Sequence, residues 1–307
     1  MKKILISIII PCYNSMNTIH NTLNSILVQS YENYEIILVD DCSTDQTRKI
    51  ITSYNNPKIK VILLEKNQGV SNARNCGIKK AEGDYIVFID SDDSISSNFL
   101  QSLVDNLESD KCLIRAFNFE ENKEFSKEEY ILKIITGKML GVCWGYLIKK
   151  ELCLNNLFDS DTSYMEDTIF IVNLINKFEK IKEISSCKYI YSNNENSLTR
   201  KITNPNKMLN GYFYSIDMLY EFVLKNKYDI STREFKKRKF VILKNTLMQA
   251  SSKEIDEILN NYDNKRIICE YKTFPYMVFM TTIGRAFWKF RYILKILKMK
   301  INNLVHS

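Results

Sequence analysis

The chain's 307 residues suffice for one large domain or two small ones, and 45% hydrophobic with 26% charged residues is ordinary for a folded soluble protein. A formal charge of +7 with only two histidines, His20 and His306, makes neither a histidine-based triad nor a zinc site expected. Eight cysteines without a C-x-x-C pair exclude a metal finger and read as reduced core residues of a cytosolic protein.

Lys2-Lys3 followed by the apolar run 4–10 imitates a secretory leader. Pro11-Cys12-Tyr13-Asn14 follows without a small-residue cleavage site, and the run is short and β-branched. It therefore reads as a first buried strand over 6–11. Helical patterns over 18–29, 45–54 and 70–81 alternate with strand-like runs over 34–40, 59–64 and 85–90. Ile/Val/Leu runs bounded by turns and alternating with helices predict a parallel sheet with helices on both faces and right-handed crossovers.

Beyond residue 110 the pattern is mixed. Strands are expected over 112–118, 142–148 and 187–192, and helices over 127–136 and 166–178. From about Pro205 the chain reads as helical, and its Tyr, Phe, Leu and Met at helical spacing read as core. Between Tyr271 and Ser307 lie seven Lys/Arg and no Asp or Glu, so the basic excess is a property of this tail. No stretch of twenty uncharged apolar residues exists, so no ordinary membrane span is expected.

Four polar groups fall where the expected strands end. Pro11-Cys12-Tyr13-Asn14 ends the first. Asp40-Asp41-Cys42-Ser43-Thr44-Asp45 ends the second, where Ser43 or Asp45 alone would read as a helix cap but Asp40 still belongs to the strand. Asn67 to Gly77 opens a helix after the third, with Arg74 in early turns where the helix dipole prefers acids; a phosphate facing it would resolve that conflict. Asp90-Ser91-Asp92-Asp93 ends the fourth. Taken alone it reads as a solvated loop. Equally, carboxylates at the C-terminal end of a buried strand suit a hard divalent cation, where ligands bind in open α/β sheets.

This ordered set resembles glycosyltransferase family 2, the inverting nucleotide-sugar enzymes of the GT-A fold. The resemblance covers residues 4–100 closely and resumes at Trp144-Gly145-Tyr146-Leu147-Ile148-Lys149-Lys150 and from Phe158-Asp159 through Met165-Glu166-Asp167 to Phe170; Tyr189 to Ser197 is loosely similar. It implies an α/β, Rossmann-like, mostly parallel central sheet with helices on both faces, followed by a helical C-terminal region. The implied layout is a catalytic domain over 1–203, with a nucleotide-sugar half (1–110) and an acceptor half (111–203), then a helical region over 204–307.

The resemblance also implies roles. Pro11, Tyr13, Asn14 and Asp40 line the nucleotide, with Asp40 accepting from the base N–H; Arg74, Asp90 and Ser91 lie along the rest of the nucleotide-sugar, Arg74 toward the diphosphate. Asp92 holds Mg²⁺ or Mn²⁺, with Asp90 as its helper, and Asp93 is structural. Asp167 is the base that activates an acceptor hydroxyl, supported by Glu166; without the family both acids read as ordinary first-turn helix residues. Trp144 reads equally as a buried ring or as a sugar platform, and the resemblance favours the acceptor site. The implied reaction transfers a hexose or N-acetylhexosamine from UDP to a glycan or lipid-linked oligosaccharide in bacterial surface polysaccharide synthesis.

Two departures stand out. No histidine lies between His20 and His306 to serve as a further metal ligand, and Cys42 stands where the family usually has glycine. The basic tail fits either an interfacial helix on an anionic cytoplasmic membrane face or a solvated helix packed on the domain, and no motif supports nucleic-acid binding. A dehydrogenase would need G-x-G-x-x-G where Pro11-Cys12-Tyr13-Asn14 stands, and a calcium loop starting at Asp90 would need Gly and Glu where Ile95 and Gln101 stand. A nucleotidyltransferase, or a catalytically degenerate membrane-associated assembly partner, remain the alternatives.

Overall fold

All seven residues of β1 (Ile6–Cys12) are buried, and so are all seven of β2 (Tyr34–Asp40), which is why both read as unbroken apolar runs. They belong to a computed structural model of the chain that describes residues 4–162, 164–192 and 205–249. Helix α1 (Ile19–Leu27) connects β1 to β2, α2 (Thr47–Thr52) leads to β3 (Ile59–Leu63), and α3 (Val70–Lys80) leads to β4 (Tyr85–Phe88). These four strands lie in the order β3-β2-β1-β4, all parallel. The register pairs Cys12 with Asp40 and Asp40 with Leu63, so the C-terminal ends of three strands meet along one edge. Strand β3, at the sheet's edge, is only partly buried, and its Lys60 reaches Glu35 at 2.8 Å and Glu82 at 2.7 Å.

Helix α3 lies directly on β1. A Cβ at Gly77 would sit 2.4 Å from Cγ2 of Ile9, closer than any real contact, so only glycine lets this helix approach. Strand β4 is shorter than the expected 85–90: Ile89 still donates to Ile9 O at 3.1 Å, but Asp90 has left the ladder. The chain then forms the two-residue β5 (Ser94–Ile95) and α4 (Phe99–Asp105), neither expected from the sequence.

The second part of the sheet is mixed. It comprises β6 (Cys112–Ala116), β7 (Lys123–Ser126) with α5 (Lys127–Ile135), β8 (Tyr146–Lys149) with α6 (Lys150–Leu154), α7 (Glu166–Ile175), β9 (Lys180–Ile184) and the short β10 (Tyr189–Ile190). The full order is β3-β2-β1-β4-β8-β6-β9-β7; β8 runs antiparallel to both β4 and β6, β6 is parallel to β9, and β10 pairs with β5 in a separate ribbon. Helix α5 starts as its sequence says: Ser126 Oγ accepts the Glu129 N–H at 3.1 Å. The strand expected over 142–148 begins late, at Tyr146, because Gly145 takes φ +85 and a Cβ there would fall 2.5 Å from Ala116 O. Strand β9 reads Lys-Ile-Lys-Glu-Ile; its lysines hid a strand whose Glu183 is itself buried.

The chain divides into two compact units at residues 200 and 201. In the second unit, α8 (Pro205–Asn226) and α9 (Thr232–Gln249) pack together. Leu209, Phe213, Ile216, Leu219 and Val223 form the buried stripe of α8, as their helical spacing predicts, and Lys239 of α9 pairs with Asp217 at 2.5 Å. Among the described residues no helix is long and apolar enough to cross a membrane. The seven described cysteines are free, and four of them (Cys12, Cys112, Cys143 and Cys153) lie at most 2% exposed. The basic segment 271–307 lies outside the described residues.

Candidate active site

Tyr13 is 39% exposed just beyond β1, and Asn14 turns the chain with φ 50. Asn14 ties this turn to the next strand end: its N–H donates to Ser43 Oγ at 3.0 Å, and its Oδ1 accepts the Thr44 N–H at 2.8 Å. Pro11 is buried within β1, opposite Val39. Asp40 has no exposed surface; Oδ2 accepts Arg48 Nε at 2.7 Å and the Ser43 N–H at 3.1 Å. Arg48 also donates to Leu64 O and so lies across the mouth of Asp40, a contact that no spacing in the sequence announced. Asp41 accepts the N–H groups of Gln68 at 2.7 Å and Gly69 at 2.8 Å, fixing the loop that opens α3. Cys42 takes φ 60, the left-handed conformation a glycine adopts freely, which costs a side-chain-bearing residue ~1–2 kcal/mol.

The loop after β4 is held equally firmly. Ser91 Oγ lies 2.6 Å from Ser15 Oγ, and its carbonyl accepts Thr18 Oγ1 at 2.9 Å and Thr22 Oγ1 at 3.0 Å. Asp93 is buried and accepts Tyr189 Oη and the Ser192 N–H, both at 2.8 Å; Tyr189 Oη in turn accepts the Asp90 N–H at 3.2 Å. Burial, with the Asp90 and Asp92 carboxylates adding to it, pushes the Asp93 carboxyl up to about 7. Asp93 therefore ties the acidic loop to β10, the structural part the sequence suggested for it. Asp90 and Asp92 are half-buried.

Arg74 joins this loop to the other half of the sheet. Its Nη2 donates to Asp90 Oδ1 at 2.9 Å, its Nη1 donates to Asp167 Oδ1 at 2.6 Å, and Glu166 Oε1 lies 3.5 Å from the same Nη1. The guanidinium lies 5.3 Å from the centroid of the Phe158 ring, and its side chain is 4% exposed. The acids that the dipole of α3 prefers are thus supplied by other elements, and protein carboxylates stand where a phosphate is expected to face Arg74. This changes the sequence expectation, because a side chain so enclosed presents no open anion position.

Helix α7 delivers Glu166 and Asp167 in its first turn, behind Met165 in the left-handed conformation at φ 60. The helix's position is set by Phe158 and Phe170, stacked at 3.9 Å, with Phe88 of β4 packed edge-on against both. Asn75 of α3 clamps the same segment by exchanging hydrogen bonds with the Phe158 backbone at 2.8 and 2.9 Å. Asp167 Oδ2 receives the Cys143 N–H at 3.5 Å, from the irregular segment before β8. Burial raises the Asp167 carboxyl to about 7; Arg74 opposes this, while Glu166 and Asp90 add to it. Burial alone would depress Arg74, yet the surrounding carboxylates hold its charge well above the ordinary range. One guanidinium shared among three acids accounts for both directions.

Trp144 is the expectation the structure corrects. Its ring is 4% exposed, stacked on Tyr189 at 4.3 Å and packed on Phe117, so it is a core residue beside the site and offers no open face to a sugar. The rest of the expected set comes together along the C-terminal edge of the sheet, with Arg74, Asp90, Glu166 and Asp167 in direct contact. Among the described residues no group of three or more His, Cys, Asp or Glu could hold a metal alone. The pair Asp90 and Asp92 offers hard oxygen donors in one loop, which fits a divalent cation whose other positions are filled by substrate oxygens and water.

Residues 7–156 match the family described as Glycosyl transferase family 2. This segment, just under half of the chain, is similar to that family. It is 33% identical over 216 residues to the Bacillus subtilis (strain 168) protein "Uncharacterized glycosyltransferase EpsJ", covering 64% of this chain and 63% of EpsJ. It is 40% identical over 121 residues to the Escherichia coli protein "UDP-Glc:alpha-D-GlcNAc-diphosphoundecaprenol beta-1,3-glucosyltransferase WfaP", covering 39% of this chain and 48% of WfaP. The chain thus spans less than two thirds of either relative. The crystal structure of S. aureus TarS 1-349 in complex with UDP-GlcNAc superposes with a TM-score of 0.61 at 23% identity, covering 85% of this chain and 78% of that one. That likeness establishes the GT-A fold.

Proposed function

We propose that the chain is an inverting, metal-assisted glycosyltransferase. It moves a hexose or N-acetylhexosamine from a UDP-sugar to a hydroxyl of a glycan or lipid-linked oligosaccharide in bacterial surface polysaccharide or teichoic acid synthesis. The observation that carries this reading is the contact of Asp167, from the acceptor half, with Arg74 and thereby with Asp90 at the end of β4. It puts a carboxylate of raised affinity for protons beside the loop expected to hold the donor. The activity of WfaP and the nucleotide-sugar bound in TarS support the donor and acceptor classes.

In this reading the nucleobase lies by Tyr13, Asn14 and Pro11, and its N–H donates to Asp40. Because Arg48 covers Asp40, the base reaches it as that side chain gives way. Asp92 and Asp90 would hold Mg²⁺ or Mn²⁺, which supplies charge neutralisation to the departing diphosphate, and Ser91 keeps their loop in place. Asp167 takes the proton from the acceptor hydroxyl as its oxygen attacks the anomeric carbon, and the bond to the diphosphate breaks on the opposite face. A carboxyl whose pKa lies near the working pH suits this task, and Glu166 holds the acceptor or supports the base. A single displacement inverts the anomeric centre, so an α-linked donor gives a β-linked product.

The reading is tested by nucleoside diphosphate release with several UDP-sugars, GDP-mannose and candidate lipid-linked acceptors. Asp92→Ala should abolish transfer, and wild-type turnover by that variant would refute its role. The basic segment between Tyr271 and Ser307 supports a peripheral site on the cytoplasmic membrane face. Flotation with anionic liposomes should require it; equal flotation of a truncation before Phe274 would rule it out as the anchor.

A further inference from the structure

We propose that Arg74 is a positioning residue that holds Asp167 and Asp90 together across the two halves of the sheet, and that it is not a ligand of the donor diphosphate. This rests on the reading of Asp167 as the base. Three observations lead to it.

First, both Nη atoms of the guanidinium are engaged. Each Nη donates to a carboxylate on a different element, one from the loop after β4 and one from α7, with Glu166 close by. Its Nε is buried without a hydrogen-bond partner among the described residues, so it presents no exposed donor. Second, the side chain has little room to turn outward. Helix α3 is pressed against β1 at Gly77 and pinned to the Phe158 backbone by Asn75, and the Phe158 ring packs near the guanidinium. Third, the charge balance points inward. The charge of one guanidinium surrounded by Asp90, Glu166 and Asp167 is balanced within the cluster, leaving Arg74 no surplus positive charge to offer a diphosphate. Remove Arg74 and these acids repel one another at the start of α7, so the base moves away from the donor side. The planar fork reaches two carboxylates at once, a geometry a lysine's single ammonium lacks.

The test uses the full chain as wild type, Arg74→Gln and Arg74→Lys. Three quantities are read: binding of UDP with Mn²⁺ by calorimetry, kcat and KM for the donor, and the pH–rate profile. Positioning predicts that Arg74→Gln keeps UDP affinity and donor KM, loses about 100-fold in kcat, and shifts the acid limb of the profile to higher pH as Asp167 loses its cationic neighbour. Arg74→Lys should recover part of kcat and of the shift. If Arg74→Gln fails to fold by its melting curve, the same comparison is made on Arg74→Lys alone, which should keep UDP affinity at reduced kcat. A large loss of UDP affinity with kcat preserved would make Arg74 a diphosphate ligand and overturn the proposal, as would an unchanged kcat and pH profile. Asp167→Asn is assayed in parallel: if it transfers sugar at the wild-type rate, the base reading fails, while the UDP affinities of the Arg74 variants still decide whether Arg74 touches the diphosphate.

Discussion

The two halves of the sheet place their functional groups in different ways. In β1, β2 and β4 the polar residues ride on the ends of parallel strands whose interiors are buried apolar runs, and hydrogen bonds between adjacent strand ends hold the loops. In the half built from β8, β6, β9 and β7, Asp167 comes from a helix that starts behind a left-handed Met165, and Cys143 comes from an irregular stretch ended by Gly145. In the proposed reading the first half is a platform for one substrate, and the second brings a base to it by side-chain packing of Phe88, Phe158 and Phe170. Binding and chemistry should therefore separate cleanly when either half is changed.

The largest expected effect tests that separation directly. Asp167→Asn should lower kcat by about 10²–10⁴-fold while sparing UDP binding, and Asp40→Ala should do the reverse, weakening UDP. Calorimetry and initial rates on both variants decide it; a common loss of binding would erase the distinction.

Next comes the stability of each half. In the second, Arg115 is buried, donating to Tyr130 Oη at 2.7 Å and lying 3.4 Å from Glu183 Oε1, and Tyr130 Oη donates to the same oxygen at 2.7 Å. Glu183→Ala strands that guanidinium and should cost about 3–5 kcal/mol in denaturant unfolding. Ile9→Ala in the first half empties space under α3 and should cost ~2–5 kcal/mol by the same measurement.

A smaller effect comes from pH. The Asp167 carboxyl is raised to about 7, so the base is protonated and idle below that value, and kcat should climb as pH rises through it. Stability moves the other way at Asp93. Its folded pKa of about 7 lies above the unfolded value, so its contribution is present in acid and is lost as pH rises through 7. Rates and melting temperatures between pH 5 and 9 check the two signs separately.

The smallest effect is a control. Lys111 and Glu179 pair at 2.5 Å on the surface of the second half, both well exposed, and Lys111→Ala should leave the denaturant midpoint unchanged within the scatter of replicate measurements.

The legibility of the sequence follows the same division. Strands over 34–40 and near 6–11 and 59–64 are found almost as expected, since a buried parallel strand must be apolar on both faces. The acids Asp40, Asp90, Asp92 and Asp167 stood out as polar breaks at the ends of such runs or at a helix start. Strand β9 is hidden in the sequence because its lysines, paired with Glu108 and Glu124, break the apolar run, and α4 because seven residues carry too little periodicity. For Trp144 the residues alone leave burial and sugar contact open, because a tryptophan's burial depends on partners distant in sequence, here Tyr189 and Phe117.

By itself the sequence determined which residues carry charge at the edge of a parallel sheet, since local apolar runs dictate strands and strand ends dictate exposure. Only the tertiary structure decided what those charges face. Arg74 and Asp167 are 93 residues apart in the chain, and Arg48 lies over Asp40 through a loop. Such pairings depend on helix packing, where a glycine at position 77 and a stack of phenylalanines set distances that no local pattern encodes.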